Sequence, residues 1–284
     1  MISVTIDRHW TVDPDAEKFA KAMGASAAKT IAKLEESPGR IDSAFSKAYQ
    51  YMRACCSFDP GVALLTTWES VVQAMQVAVA MFAVTGQDSG TVECRINNEV
   101  RHLRAIGRRP YVNAGNWLTA FWLAVVSRDQ DSMTRLSEIP VERLRAPEGH
   151  FDEYIYHWVD VLQTFQLRQP GLADKLIATI ESSRPEIATI TPRDQLQYIL
   201  YQPINLFRLY VRDKRDEFGP ALVEALELHK LYWTADEDRA NDPYGRIALG
   251  PLAIARFAYD DDFPIDVESD YLPAHLLRPD WSMD

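Results

Sequence analysis

The sequence is short of several things, and each shortage excludes something. Three cysteines, Cys55 and Cys56 side by side and Cys94 alone, are too few and too oddly spaced for a disulfide framework or a zinc site, and read as reduced thiols. The longest unbroken apolar run, Val77 to Val84, is eight residues. A membrane span needs about 20. Twelve glycines and 16 prolines exclude collagen-like and low-complexity chains. Met1 to Asp7 carries neither a positive n-region nor an apolar h-region, so no secretory signal is expected and the protein is expected in the cytoplasm. Positive charge is scarce: 30 Lys and Arg stand against 41 Asp and Glu, net −11. Such a field repels phosphate backbones, so neither nucleic acid nor membrane is an expected partner.

Also missing are the common catalytic signatures. There is no phosphate loop ending in Lys-Ser/Thr, no G-x-G-x-x-G, no G-x-S-x-G elbow and no H-E-x-x-H. No cofactor is implied.

What the chain does have is 47% hydrophobic residues over 284 positions, enough for one large core. Most of it has helical periodicity. Asp13-Pro14 opens a helix towards Glu36, Ser37-Pro38-Gly39 stops it, and a second helix runs to about Cys56. Trp68, Val71, Val72, Met75, Val79 and Phe82 fall on one helix face. Asn116 to Val126 is apolar all round, which predicts a helix buried on every side. Further helices are expected over 151–167, 172–182, 192–212 with a kink at Pro203, 218–233, and 251–259 with Pro251 first. Only Ile2-Val4-Ile6 and Val92-Cys94-Ile96 alternate. The second, followed by Asn97-Asn98 and the stretch to Ile106, reads as a hairpin. The expected fold is all-α, antiparallel helix pairs in a single irregular bundle or solenoid-like domain over residues 1–284, with a small β-hairpin.

Several groups have the composition of sites. His150, Glu153, His157 and Asp160 share an arc of about 80° on one helix, but the opposite face is apolar, so they read as its solvated side. His229 falls on an apolar stripe and reads as a core histidine that needs a partner. Cys55-Cys56 lacks C-x-x-C geometry. Arg95, Arg101, Arg104, Arg108 and Arg109 make the hairpin region basic, without aromatic platforms between them. Asp236-Glu237-Asp238 and Asp260-Asp261-Asp262 resemble the magnesium-binding aspartates of all-helical prenyl-transferring enzymes, yet Pro264 stands where D-D-x-x-D needs an aspartate. Residues 234–284 hold twelve acids and four bases, so −8 of the net charge lies in the last fifth of the chain. That concentration is either a solvated surface or a docking face for a basic partner.

Five stretches go further: NAGNWLTAFWLA at 113–124, PINLF at 203–207, ALELHKLYWTADE at 225–237, ALGPLAIA at 248–255 and VESDYLP at 267–273. In order and over nearly the whole chain they resemble the immunity protein 49 family of bacterial polymorphic-toxin systems. The resemblance implies a non-enzymatic, cytoplasmic protein that neutralises a cognate toxin, and it implies no catalytic residue. Together with the charge it makes Asp236, Glu237, Asp238, Asp260, Asp261 and Asp262 candidate toxin-binding residues, the toxin being a candidate nuclease. The alternative is an all-helical metal-dependent hydrolase or transferase using those carboxylates. A third class, a helical scaffold binding peptides, would show a long concave apolar channel.

Overall fold

The computed structural model describes residues 4–147 and 150–278. Its elements in chain order are β1 (Val4–Ile6), α1 (Ala16–Ile31), α2 (Ile41–Phe58), α3 (Leu65–Thr85), β2 (Thr91–Ile96), β3 (Glu99–Arg104), α4 (Ala114–Val126), α5 (Gln130–Ser137) and α6 (Val141–Leu144). Then come α7 (Tyr154–Gln166), α8 (Leu172–Ser182), α9 (Arg193–Gln195), α10 (Tyr201–Val211), α11 (Arg215–Trp233), α12 (Glu237–Asn241), α13 (Leu249–Asp260), β4 (Val267–Ser269) and α14 (Ala274–Leu277). The fold is all-α apart from two small strand pairs, as the periodicity predicts.

The hairpin forms where expected. Asn97 and Asn98 both take positive φ, 55° and 61°, the conformation of a tight I′ turn, and β2 pairs with β3 in the register Ile96↔Glu99. Its inner side chains Cys94, Ile96 and Leu103 are buried. The turn is tied to α3, since Gln76 accepts from the Asn97 N–H and Gln73 donates to its side chain.

Among the described helices α3 alone is long and apolar enough, at 21 residues, to cross a membrane by length and composition. Most of it is buried inside the fold, packed on α2, α4 and β2. It is a core helix.

Four helices run the same way. The N-terminal parts of α4, α7, α10 and α13 meet at one pole, around Leu118, Ile155, Pro203 and Leu249. The C-terminal ends of α7, α10 and α13 gather at the other, around Phe165, Tyr210 and Asp260, where Arg128 after α4 also reaches Asp260. Short loops return the chain through α5, α8 and α11 on the outside, giving the expected antiparallel pairs. Phe165, Phe207, Tyr210 and Phe257 pack ring against ring between α7, α10 and α13. In α4, Trp117 and Phe121 are fully buried and stacked 4.9 Å apart, and the Trp117 indole donates to the Leu136 carbonyl. Asn113 caps this helix by accepting from the Asn116 N–H at 3.0 Å.

The structure departs from the sequence reading at several points, among them α5 over Gln130–Ser137, where the sequence reading has no helix. Helix α1 stops at Ile31 rather than Glu36, dissolving into turns before Ser37. Helix α13 starts at Leu249, so Pro251 is its third residue rather than its first. The expected kink at Pro203 is a π turn, Leu196–Leu200, because the proline has no N–H to return to the fourth residue before it. A fourth strand, β4, pairs in parallel with β1 in the register Val4↔Val267. Of the N-terminal alternation, Ile2 lies outside the described residues.

Helices α4, α7, α10 and α13 all end in the same motif. Arg128, Arg168, Asp213 and Asp262 take φ of 51–59°, and the next residue donates to a carbonyl five back: Asp129 to Ala124, Gln169 to Thr164, Lys214 to Leu209, Phe263 to Ala258. This is a Schellman end with the usual glycine replaced at every site. A side chain there costs roughly 1 kcal/mol. Arg168 is exposed and makes no ion pair among the described residues. Arg168→Gly is therefore expected to raise stability in urea by about 0.5–1 kcal/mol; an equal or lower midpoint would contradict the assignment of strain.

Candidate functional site

Helix α11 separates the two acidic triplets. Asp260 to Asp262 sit at its start, where the Arg215 guanidinium donates to the carbonyls of Asp261 and Asp262. Asp236 to Asp238 follow its end at Trp233. Nineteen helical residues put the triplets about 27 Å apart. They do not converge, and among the described residues no group of three or more His, Cys, Asp or Glu is placed to hold a metal.

Within each triplet the roles differ. Asp236 caps α12 by accepting from the Arg239 N–H and pairs with its guanidinium at 3.2 Å. Asp260 is paired with Arg256, and Asp261 accepts from the Tyr210 hydroxyl at 2.6 Å. Glu237, Asp238 and Asp262 are exposed, and among the described residues their side chains have no ion pair.

The other candidates are structural. Glu153 pairs with Arg145, and Asp160 with Lys175 at 2.9 Å, so the His150 to Asp160 arc is an ion-paired surface. Cys55 and Cys56 are buried, and burial pushes both thiols up. Arg101 is paired with Glu99 and Arg108 donates to the Arg145 carbonyl, leaving Arg95, Arg104 and Arg109 exposed. His229 has the partner it needs: its Nε2–H donates to the Gly245 carbonyl at 3.0 Å, which leaves Nδ1 as an acceptor. Burial lowers its pKa to about 4, so the ring is neutral. His9, bonded to the Tyr271 hydroxyl at 2.7 Å, is likewise lowered to about 4, by burial and by Arg246.

The feature that sequence reasoning did not find is a cleft of about 520 Å³ at the pole where the four parallel helices begin. Trp122, Tyr154, Trp158 and Pro203 form its inner wall, with Ala225, His229 and Trp233 of α11 on one side. Gly250 lets α13 approach α10 there: a Cβ would stand 2.6 Å from the Pro203 ring. The π turn lies along one edge, and the half-buried face of α4, at Leu118 and Thr119, opens into the space. A loop covers it. The buried Asp152 carboxylate accepts from the N–H groups of Thr189, Ile190 and Thr191 at 2.7–3.0 Å. Burial opposes its charge, but those bonds outweigh it and hold the carboxyl below the usual range. Asp236 to Asp238 stand at the rim, because Arg239 bridges Asp236 to Asp194, beside the lining residue Gln195. This is an enclosed cleft at one pole, not a long channel.

The immunity protein 49 model matches residues 59–276. The chain belongs to this family. The match takes in every helix that lines the cleft except α2, which adds Tyr49. Four of the five stretches that carry the resemblance supply lining residues, among them Leu118, Pro203, His229 and Gly250. No curated protein and no solved structure matches the chain.

Two expectations follow. Unfolded, His229 takes up a proton below about pH 6.5; folded, it does so only near pH 4. Stability is full above the first value and falls as pH drops towards the second, by on the order of 3 kcal/mol for this residue. Urea unfolding of His229→Gln, which keeps a donor for Gly245, should show a shallower loss between pH 7 and about 4.5 than the parent. An identical slope would mean that the histidine titrates normally. Asp152→Ala should release the covering loop, speeding amide exchange at Thr189, Ile190 and Thr191 by about tenfold or more, while the α4 amides stay protected.

Proposed function

We propose that this protein is an immunity factor that binds a cognate toxin in the cytoplasm of the producing cell and neutralises it without catalysis, as a single domain. Membership of the immunity protein 49 family supports a toxin partner in general. The observation that carries the finer reading is the distribution of charge: −8 of the net −11 in residues 234–284, with Glu237, Asp238 and Asp262 exposed and unpaired among the described residues. A toxin that attacks nucleic acid must carry a basic surface for its substrate, and a fixed set of carboxylates competes for that surface as phosphates do. Asp236, Glu237, Asp238, Asp260, Asp261 and Asp262 are the proposed contributors. Two triplets about 27 Å apart fit within one protein interface of standard size. The metal-dependent alternative finds no support in the geometry, since its carboxylates lie at opposite ends of α11.

Co-expression with the product of the adjacent gene, followed by capture, identifies the partner. Replacing all six acids by Asn or Gln should then slow association about 10- to 10³-fold at low salt and remove most of its salt dependence. Circular dichroism controls for folding. Replacing one triplet at a time tells which end of α11 the toxin meets. An unchanged on-rate at low salt would leave the acids a solubilising role only.

A further inference from the structure

We propose that Tyr244 anchors the toxin interface: its exposed ring face takes the aliphatic stem of an arginine or lysine on the toxin's basic surface, and Glu237 and Asp238 take the charged head. The inference rests on the toxin reading above and adds the residue that holds the partner once it has met the acids.

Tyr244 stands apart from the other tyrosines. Of the twelve it is the one that is exposed, at 53%. Among the described residues it is also the one exposed large hydrophobic in the last fifth of the chain, where −8 of the net charge lies.

Its ring is fixed before any partner arrives. The guanidinium of Arg53, a buried residue, lies against the ring, and Tyr49 meets it edge-on with centroids 5.9 Å apart. Arg53 pairs with no carboxylate among the described residues, so the rings of Tyr49 and Tyr244 are its cover. The backbone is fixed as well. Asp242 accepts from the Tyr244 N–H at 2.8 Å, and Pro243 opens the short 3₁₀ turn that holds it. At Gly245 a Cβ would stand 2.7 Å from the Trp233 ring, so this turn lies tight against α11. A tyrosine held in this way loses little freedom on binding, the property that puts rigid aromatics among the residues an interface depends on most.

Charge names the occupant. Between Thr234 and Ile247 stand four acids and two arginines. Arg239 is taken up by Asp236 and Asp194, and Arg246 is half-buried over the Trp10 ring. Asp242 is occupied by the Tyr244 N–H. Glu237 and Asp238 stay exposed, with no ion pair among the described residues. The exposed Arg193, next to Asp194, offsets one of these charges and leaves the surface negative. Helix α12, five residues or about 7.5 Å long, separates the two carboxylates from the ring. A lysine or arginine suits both features, because its stem packs on an apolar face while its head stays with the charge.

Encounter and retention are separate rates, and the test reads both on the complex with the product of the adjacent gene. Tyr244→Ala is expected to raise the dissociation rate about 10- to 100-fold and to leave the association rate within about twofold, the reverse of replacing the six acids. Tyr244→Phe, which keeps the ring, should hold the dissociation rate within about threefold of the parent. Phe19→Ala removes a ring of similar exposure from α1 and should change neither rate. If Tyr244→Ala fails to fold once Arg53 is uncovered, tetranitromethane decides on the unaltered protein: the Tyr244 ring should be nitrated at least about tenfold more slowly in the complex than free. An unchanged dissociation rate for Tyr244→Ala, or undiminished nitration in the complex, would overturn the anchor while the six-acid variant still slows association and the toxin reading stands. No complex, or an association rate indifferent to the acids, would overturn both.

Discussion

A helix that is apolar around most of its circumference has to be covered on most sides, and α4 is such a helix, half-buried at Leu118 and Thr119 where it meets the cleft. Trp117 and Phe121 share one face, Leu123 and Val125 point to others, and all are buried, so α3, α5, α7 and α13 have to surround them. Covering α4 fixes most of the molecule. Two of its neighbours, α7 and α13, run parallel to it, which requires each connection to return along the outside; α5, α8 and α11 are those returns. The aromatic packing of Phe165, Phe207 and Phe257 then closes α10 into the same group. Because the four inner helices share a direction, their beginnings gather at one pole and their ends at the other. The cleft is what remains where the beginnings diverge.

Much of this was legible in local sequence, and the reasons are local too. A type I′ turn is announced by Asn97-Asn98, the Asn113 cap by its place before an apolar run, and α8 by its own periodicity. Helix ends were harder to place. The left-handed residues that terminate α4, α7, α10 and α13 are arginine and aspartate, and only glycine or asparagine would have marked them. Strand β4 is three residues long and has no partner nearer than β1, so nothing around Val267 distinguishes it from loop. The cleft was invisible for a different reason. Trp122, Tyr154, Pro203, His229 and Gly250 come from five helices, and each, taken alone, reads as core.

The two poles divide the chemistry of the protein. At one, Asp260 and Asp261 are held by Arg256 and Tyr210, and Arg128, a cation just past the negative end of α4, reaches Asp260. Charge there is largely balanced. At the other, Glu237 and Asp238 are exposed beside an aromatic cleft with no Lys or Arg among its described lining residues. Unpaired carboxylates among the described residues stand chiefly at this second pole, next to the exposed ring of Tyr244. Apolar recess and acidic rim are thus adjacent, the arrangement in which a central anchor and peripheral charges act together at protein interfaces.

The pairing of β1 with β4 bears on how the chain is made. Ser269 donates to the Ile6 carbonyl across 263 residues, and the Val4 N–H donates to the Asp266 carbonyl. A ribosome adding about 5–20 residues per second needs roughly 13–50 s to deliver the second strand after the first. Through that interval β1, whose Ile6 is buried in the finished molecule, has no strand to pair with. The helices between them can pack in order of emergence, pair by pair, but the latch between first and last strand closes after all of them. Until then β1 carries an unpaired strand edge that a chaperone can reach.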